Sequence, residues 1–149
     1  MGYGWTHSYN VFLFNQRGHM FLMDARGRIE RHKLGPGGTF ITGPGYFDQL
    51  VQTSNTTFTL TTKDKTISTF TLVPSTPFFV GGGAVYRLTS IVDRNNNVTI
   101  LTYVNGNLTS VTDTYGRSLT LGYNSQNKLI SITDPLLRTT TLEYDSTGR

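Results

Sequence analysis

Leu108-Thr-Ser-Val-Thr-Asp-Thr-Tyr-Gly-Arg-Ser-Leu-Thr-Leu-Gly-Tyr123 is the middle one of three related stretches that fill residues 87–149. From one stretch to the next, the leading leucine, the aspartate and the tyrosine recur after 20 and then 21 positions. A fixed period of this length indicates a repeat architecture, in which each unit buries its apolar side only against its neighbours. The repeated positions are Leu88, Asp93 and Tyr103, then Leu108, Asp113, Gly116 and Tyr123, and then Leu129, Asp134, Tyr144, Asp145 and Gly148.

Each stretch predicts a β-hairpin. The first strand runs from the leading leucine to the aspartate, and the second alternates apolar and other residues, as in Leu119-Thr-Leu-Gly-Tyr123. Between the first and second units, Asn105-Gly106 predicts a type I′ turn, which needs a positive φ at both residues. Consecutive hairpins with short turns at both ends predict one long antiparallel meander, and the fold class is therefore all-β.

The loop inside each hairpin follows the aspartate. Gly116 and its counterpart Asn96 suit a left-handed backbone position, where residues without β-branching are tolerated. Leu137 stands at the equivalent place in the third unit, where leucine has a steric cost. Either this loop takes another shape or the third unit is strained. The three aspartates are expected to accept backbone N–H bonds within their own loops.

Residues 1–86 predict the same architecture in a less regular form. The expected strands are 8–14, 19–23, 58–62 and 66–72, with turns at 15–18 and 63–65. Glycine and proline interrupt the pattern at 34–45 and at 73–83, where loops or strand bends are expected. We expect residues 1–86 and the three repeats of 87–149 to form one continuous structural unit, because three hairpins alone have little core.

The composition excludes several classes of function. There is no cysteine, so disulfides and thiolate metal sites are ruled out. The formal charge is +4, and the densest basic stretch, Arg26 to Lys33, is interrupted by Glu30, which favours a solvated strand face over a nucleic-acid surface. No stretch has the length of a membrane span. The chain begins and stops within strand-like patterning, which favours a piece of a longer protein.

A calcium-binding loop is the most specific hypothesis for a metal site in this chain, and the sequence argues against it. Asp93, Asn95 and Asn97 have the spacing that opens such a loop, but Val98 and Val104 stand where a glycine and a bidentate glutamate are needed. Turn chemistry is the better explanation of this segment.

No other catalytic, cofactor or metal set emerges. His7, His19 and His32 lack the spacing of a helical zinc site, and Gly81-Gly-Gly83 lacks the Lys-Ser/Thr of a phosphate loop. Carboxylates are few, and no spacing nominates a catalytic pair. We therefore expect no catalytic residue, no cofactor and no metal.

The residues from Leu108 to Tyr123, with Asp134-Pro135 and the ending Tyr144-Asp145-x-x-Gly148-Arg149, resemble the rearrangement hotspot, or YD-repeat, family. The resemblance implies a β-sheet ribbon that spirals into a hollow shell, which in many members encloses a C-terminal toxin domain. It also implies a bacterial protein that is secreted or exposed at the cell surface. Its partners would be further YD repeats of a longer parent chain, or other copies of the same chain joined at open strand edges into a filament.

Tyr103, Tyr123 and Tyr144 are equivalent and suggest two readings. In register they would stack along neighbouring strands as a structural ladder. Alternatively, aromatic strips of tyrosine and phenylalanine would face sugar rings in a carbohydrate or cell-surface binding module. The leading hypothesis is a non-enzymatic structural repeat protein, either a wall segment of a shell or a self-assembling filament.

Overall fold

The fold is taken from a computed structural model, which describes residues 6–73 and 83–145. Over these ranges the chain is all-β and antiparallel, with one 13-stranded sheet and no α-helix, which confirms the predicted fold class. A short 3-10 turn lies at Pro36–Gly38. The strands are β1 (Phe12–Gln16), β2 (His19–Met23), β3 (Ile29–Leu34), β4 (Phe40–Ile41), β5 (Gln49–Ser54), β6 (Thr57–Thr61), β7 (Ile67–Leu72), β8 (Val85–Val92), β9 (Val98–Val104), β10 (Asn107–Thr112), β11 (Ser118–Tyr123), β12 (Leu129–Thr133) and β13 (Thr139–Thr141).

Strands β9 to β13 form the predicted meander, which we call the repeat arm. Each strand pairs with the next in the chain, from β8 through to β13. The turn between β9 and β10 holds Asn105 at φ 49° and Gly106 at φ 79°, and Val104 pairs with Asn107 across it. Positive φ at both residues is the signature of a type I′ turn, so this prediction is confirmed.

The sheet branches at β8. One edge of β8 pairs with β7 from Tyr86 to Val92, while the other edge pairs first with β1 and then with β9. From β1 the sheet continues to β4, and from β7 it continues back to β5. β4 and β5 are in contact, and the rings of Phe40 and Phe58 meet there at a centroid distance of 5.8 Å. Strands β1 to β8 thus curl into a nearly closed barrel, and the repeat arm extends from it.

One apolar cluster connects the barrel to the repeat arm. It exists because alternate residues of each strand point to the same face, so that a single buried row runs from strand to strand. Phe58 and Tyr86 pack edge to face in its centre, with ring centroids 4.8 Å apart. The buried members are Leu13, Met20, Leu50, Phe58, Leu60, Phe70, Tyr86, Leu88, Leu101, Leu108, Val111, Leu121 and Leu129. The leading leucine of each repeat therefore belongs to the core.

The N-terminal half corrects several sequence-based expectations. The first strand starts at Phe12 and not at Ser8, because the backbone N–H of Asn10 donates to the carbonyl of His7 (2.9 Å) in a turn. The strands expected at 58–62 and 66–72 are confirmed as β6 and β7. β3, β4 and β5 were not predicted, since their polar and charged residues hide the alternation. Residues 74–82, including most of the second Gly/Pro-rich stretch, lie outside the described part of the chain.

The loop at Leu137 keeps the shape of its counterparts. Leu137 has φ 63°, beside 62° at Asn96 and 79° at Gly116. Its N–H donates to the carbonyl of Asp134 at 2.9 Å, the same bond that Asn96 and Gly116 make to the aspartate of their own loop. Of the two alternatives, the third unit is therefore strained and not differently folded.

Replacing Leu137 by glycine is expected to raise the free energy of unfolding by about 0.5–1 kcal/mol, since relief of the left-handed strain exceeds the entropic cost of glycine. The Leu137 side chain is 83% exposed, so little burial is lost. Urea unfolding followed by circular dichroism measures the change. As a matched control, Gly116→Leu should destabilise the protein, and a destabilising Leu137→Gly would contradict the argument.

Candidate functional site

The repeated tyrosines make one hydrogen bond that recurs in every unit. The hydroxyl of Tyr103 donates to the carbonyl of Leu88 at 2.9 Å. Tyr123 bonds Leu108 in the same way at 2.8 Å, and Tyr144 bonds Leu129 at 2.6 Å. Each tyrosine thus reaches the leading leucine of its own hairpin, fifteen residues earlier, and we call this bond the tyrosine tie.

The tie coincides with an irregularity in the ladder. The pairing register skips the residue after each leading leucine, namely Thr89, Thr109 and Ile130, as in a β-bulge. A bulge disrupts the ladder locally and leaves backbone groups without their regular partner. Because an unpaired buried carbonyl is costly, the hydroxyl of the tyrosine supplies the missing donor.

Burial moves the pKa of two of these hydroxyls, those of Tyr103 and Tyr123, further above the neutral range. It raises the pKa of Tyr103 to about 12, an effect that nearby Arg87 opposes and Tyr123 reinforces. Burial likewise raises the pKa of Tyr123. Both side chains are therefore donors throughout the neutral range, as the tie requires.

The expected stacking of the three tyrosines does not occur within the described residues. Tyr103 and Tyr123 lie on β9 and β11, and β10 runs between them. With neighbouring strands about 4.8 Å apart, equivalent positions two strands away are roughly 10 Å apart, which leaves a gap between the rings.

Replacing Tyr103 by phenylalanine is expected to lower the free energy of unfolding by about 1–2 kcal/mol, because it removes the tie and leaves the Leu88 carbonyl without this donor. Thermal and urea unfolding measure the effect. Tyr115→Phe is the control, since Tyr115 is 78% exposed, and should be neutral. Equal stability of the Tyr103 and Tyr115 variants would show that the tie contributes nothing.

The repeated aspartates organise their own loops, as predicted. One Oδ of Asp93 accepts the backbone N–H groups of Asn95 and Asn97, at 2.8 and 2.9 Å. Asp113 and Asp134 accept the equivalent pairs, all at 2.9 Å. Hydrogen bonds from Asn97, Arg117 and Arg138 respectively are the main reason why the pKa of each aspartate is lowered.

The same loop recurs at two further places, in segments whose sequences predict turns. Asp24 accepts the N–H groups of Arg26 and Arg28, and Asn124 accepts those of Gln126 and Lys128. The signal was present as Asp24-Ala-Arg-Gly27-Arg28, which repeats the aspartate and glycine spacing of the second unit. Asp145 lies at the end of the described residues, and Gly148 lies outside them.

The three histidines have different surroundings. Nδ1 of His7 accepts the N–H of Tyr9 at 3.2 Å, and Nδ1 of His19 accepts that of Leu34 at 3.2 Å. His32 is fully buried on β3, with Nε2 3.7 Å from Oε1 of Glu30. Among the described residues, no three histidine, aspartate or glutamate side chains are grouped to hold a metal ion.

The Glu30–His32 pair is an unusual polar element in the barrel. Oε1 of Glu30 and both ring nitrogens of His32 have no hydrogen-bond partner among the described residues. Burial raises the pKa of Glu30 and lowers the pKa of His32. Sequence reasoning missed this pair, because Glu30 lies in a basic stretch that predicts a solvated strand face.

A groove of about 240 Å³ lies beside the tyrosine ties, and we call it the Tyr103–Tyr123 groove. Its walls come from the segment before β1, from Arg87 on β8 and from the β9–β10 turn. The groove brings together residues that are far apart in the chain, so no local motif could have predicted it.

The last strand of the repeat arm has an open edge. β13 pairs with β12 on one side, and its residues Thr139, Thr140 and Thr141 are all exposed. No described strand pairs with its other side. A strand edge of this kind presents unpaired N–H and C=O groups to any further strand.

Comparison with known families agrees with this geometry. The family model described as RHS Repeat matches residues 87–118 and 123–149, which include most of β8, the strands β9, β10, β12 and β13, and the two ends of β11. A search of curated proteins found no match. Within the described residues, no helix has the length and apolar character needed to cross a membrane.

Proposed function

We propose that the chain, whose residues 87–118 and 123–149 match the RHS Repeat family, is a wall segment of a β-sheet shell built by a longer repeat protein. The repeat positions have structural roles in this proposal, with the leucines in the core, the aspartates in the loops and the tyrosines as ties. Residues 1–86 and 87–149 act as one continuous unit, a proposal supported by the pairing of β8 with β7, β1 and β9.

The open edge of β13 is the observation that carries the proposal. The barrel end of the sheet curls until β4 contacts β5, whereas the opposite end stops at an exposed strand. Repeat arrays are soluble when their ends are capped, and an uncapped end is completed by the next unit. The next repeat of a parent chain is the natural partner of β13.

Hydrogen exchange tests this role. Appending a second copy of residues 108–128 after Arg149 should slow amide exchange in Thr139–Thr141 by about tenfold or more, because the added strand supplies hydrogen-bond partners and local opening becomes harder. Exchange in β10 serves as the internal control and should change little. If β13 is equally protected in the chain without the added unit, its edge is already covered and the wall proposal fails.

Another copy of the chain is the alternative partner for this edge. Two copies joined at β13 alone would form a finite pair, because an unlimited filament needs a second, different contact surface. Thr141→Lys, a charge on the edge strand, should weaken this association in light-scattering measurements. Thr120→Lys is the matched control, since Thr120 occupies the same repeat position on the interior strand β11.

The family also supports three further proposals. RHS repeats are structural and not catalytic, so we propose no enzymatic role. We further propose that the parent protein is secreted or exposed at the cell surface and that a shell made from such segments encloses a further domain, such as a toxin. Protection of that domain from added protease in the intact parent is the measurement that tests enclosure.

Carbohydrate binding is a second candidate function, favoured by one observation. The Tyr103–Tyr123 groove places three tyrosines, Tyr9 among them, beside several side-chain amides and one arginine. Pockets that bind small molecules combine apolar walls with a few polar groups that fix orientation. Binding of a sugar in this groove is compatible with the wall role, since the groove and the β13 edge are separate surfaces.

A further inference from the structure

Arg87 is the dominant charged group of the Tyr103–Tyr123 groove. Its guanidinium lies 5.1 Å from the centroid of the Phe12 ring, and Nη1 donates to Oδ1 of Asn10 at a long 3.4 Å. Among the described residues, no carboxylate forms an ion pair with it. Arginine has five N–H donors in a planar fork that matches a carboxylate, so a stacked, half-buried arginine without an acidic partner is suited to bind one.

Two further groups support a negatively charged ligand. His7 also lines the groove, and its pKa is lowered, first by burial and also by the positive charge of Arg87. The local field is thus positive, and a neutral His7 whose Nδ1 accepts the N–H of Tyr9 has its proton on Nε2. His7 thus adds a second N–H donor among the residues that line the groove.

Two asparagines that line the groove, Asn107 and Asn127, have the chemistry that recognises hydroxyl groups. Nδ2 of Asn107 donates to Oδ1 of Asn127 at 2.9 Å, which joins the first repeat boundary to the next. This bond uses one donor and one acceptor, so Oδ1 of Asn107 and Nδ2 of Asn127 provide an acceptor and a donor for a ligand. The rings of Tyr103 and Tyr123, whose hydroxyls are held in the ties, offer apolar surface in the groove.

We infer that the Tyr103–Tyr123 groove binds a sugar acid, with the carboxylate on Arg87, ring hydroxyls on the amides of Asn107 and Asn127, and a C–H face of the pyranose against the tyrosine rings. This inference rests on the second candidate function and is independent of the wall role. The groove is smaller than the roughly 300–1,000 Å³ of drug-sized clefts, so one sugar ring is the appropriate occupant.

Chemical-shift titration of the full chain at low ionic strength tests the inference, with D-glucuronate and D-galacturonate as probes and D-glucose, D-galactose and acetate as comparisons. Saturable shifts are expected at the amides of Tyr103, Asn107 and Asn127, with a uronate affinity about tenfold or more above that of the parent sugar and of acetate. Arg87→Gln should remove this preference. Arg31→Gln, the same charge change at an exposed position on β3, should leave it within about twofold.

Asn107→Asp provides a second variant that keeps the arginine and its packing. The added carboxylate competes for the same positive field, so uronate affinity should fall by a clearly larger factor than neutral-sugar affinity, which also loses the Asn107 amide. Equal affinities for glucose and glucuronate would overturn the acid specificity and leave the second candidate function standing. Acetate binding as tight as uronate would overturn the sugar part, and no saturable binding by any sugar would overturn both.

Discussion

Replacing Phe70 by alanine is expected to lower the free energy of unfolding by about 3–5 kcal/mol, the largest effect of any single change considered. Phe70 is 1% exposed, and its register partners are Phe58 on β6 and Leu88 on β8. The ring therefore fills the place where the barrel joins the first repeat. Its removal leaves a cavity between strands that other parts of the sheet hold in position, so the cavity cannot close.

Equilibrium urea unfolding measures this change. Ile67→Ala on the same strand is the control, since Ile67 is 39% exposed and should cost about 1 kcal/mol or less. Because β7 connects β5 and β6 to β8, the Phe70 variant should also speed hydrogen exchange in β5 and β6 more than in β12. A loss below that of the Ile67 control would show that Phe70 is not part of a shared core.

Acidification from pH 6.5 to 5 is expected to destabilise the protein through His32, by up to about 1.4 kcal/mol per pH unit, the limit for one proton. Burial lowers the pKa of His32 in the folded state, so the unfolded chain binds the proton first. Stability contributed by neutral His32 is therefore present above about pH 6.5 and is lost as the pH falls towards the folded pKa. Among the described residues, the His32 ring has no hydrogen-bond partner that would stabilise its protonated form.

Other titratable groups also contribute to the pH dependence of the free energy of unfolding. Glu30 has a raised pKa, so its contribution has the opposite sign and grows as the pH falls towards 4.5. His7 has a lowered pKa and acts in the same direction as His32, but it is only partly buried. The aspartates of the repeat loops have lowered pKa values and titrate below this window.

Urea unfolding at a series of pH values measures how the free energy of unfolding changes with pH. His32→Gln should flatten the curve between pH 6.5 and 5 more than His7→Gln does, because the His32 ring is fully enclosed. Glu30→Gln should steepen it at the acid end, where the opposing contribution is lost. An unchanged slope in the His32 variant would show that this histidine does not set the acid sensitivity.

The repeat arm was predictable because its information is local and periodic. The alternation of Leu119-Thr-Leu-Gly-Tyr123, the aspartate loops and the Asn105-Gly106 turn each act within about 20 residues, and the aspartate loop recurs in all three units. The constant interval between the leading leucine and the tyrosine of each unit is the sequence feature that corresponds to the tyrosine tie. Periodicity alone, however, does not reveal that the hydroxyl bonds to a backbone carbonyl.

The barrel and the groove could not be predicted from the sequence, for a different physical reason. β3 alternates exposed charged residues with Glu30 and His32, so its buried face contains the residue types that normally indicate solvent. The groove depends on long-range closure, which brings Arg87 beside Asn10 and the β9–β10 turn. Both features depend on long-range tertiary packing, so no short stretch of sequence predicts them.

The tyrosine tie starts and ends within one hairpin, from Leu88 to Tyr103 and again from Leu108 to Tyr123. Duplication or deletion of a whole hairpin therefore leaves every remaining tie intact, and what has to be restored is the backbone pairing and the boundary contacts between neighbours, such as the bond of Asn107 to Asn127. Genes that encode such units can lengthen or shorten by recombination between copies without passing through a misfolded intermediate. Evolution, or an engineer, can adjust the size of the assembled structure in steps of one hairpin.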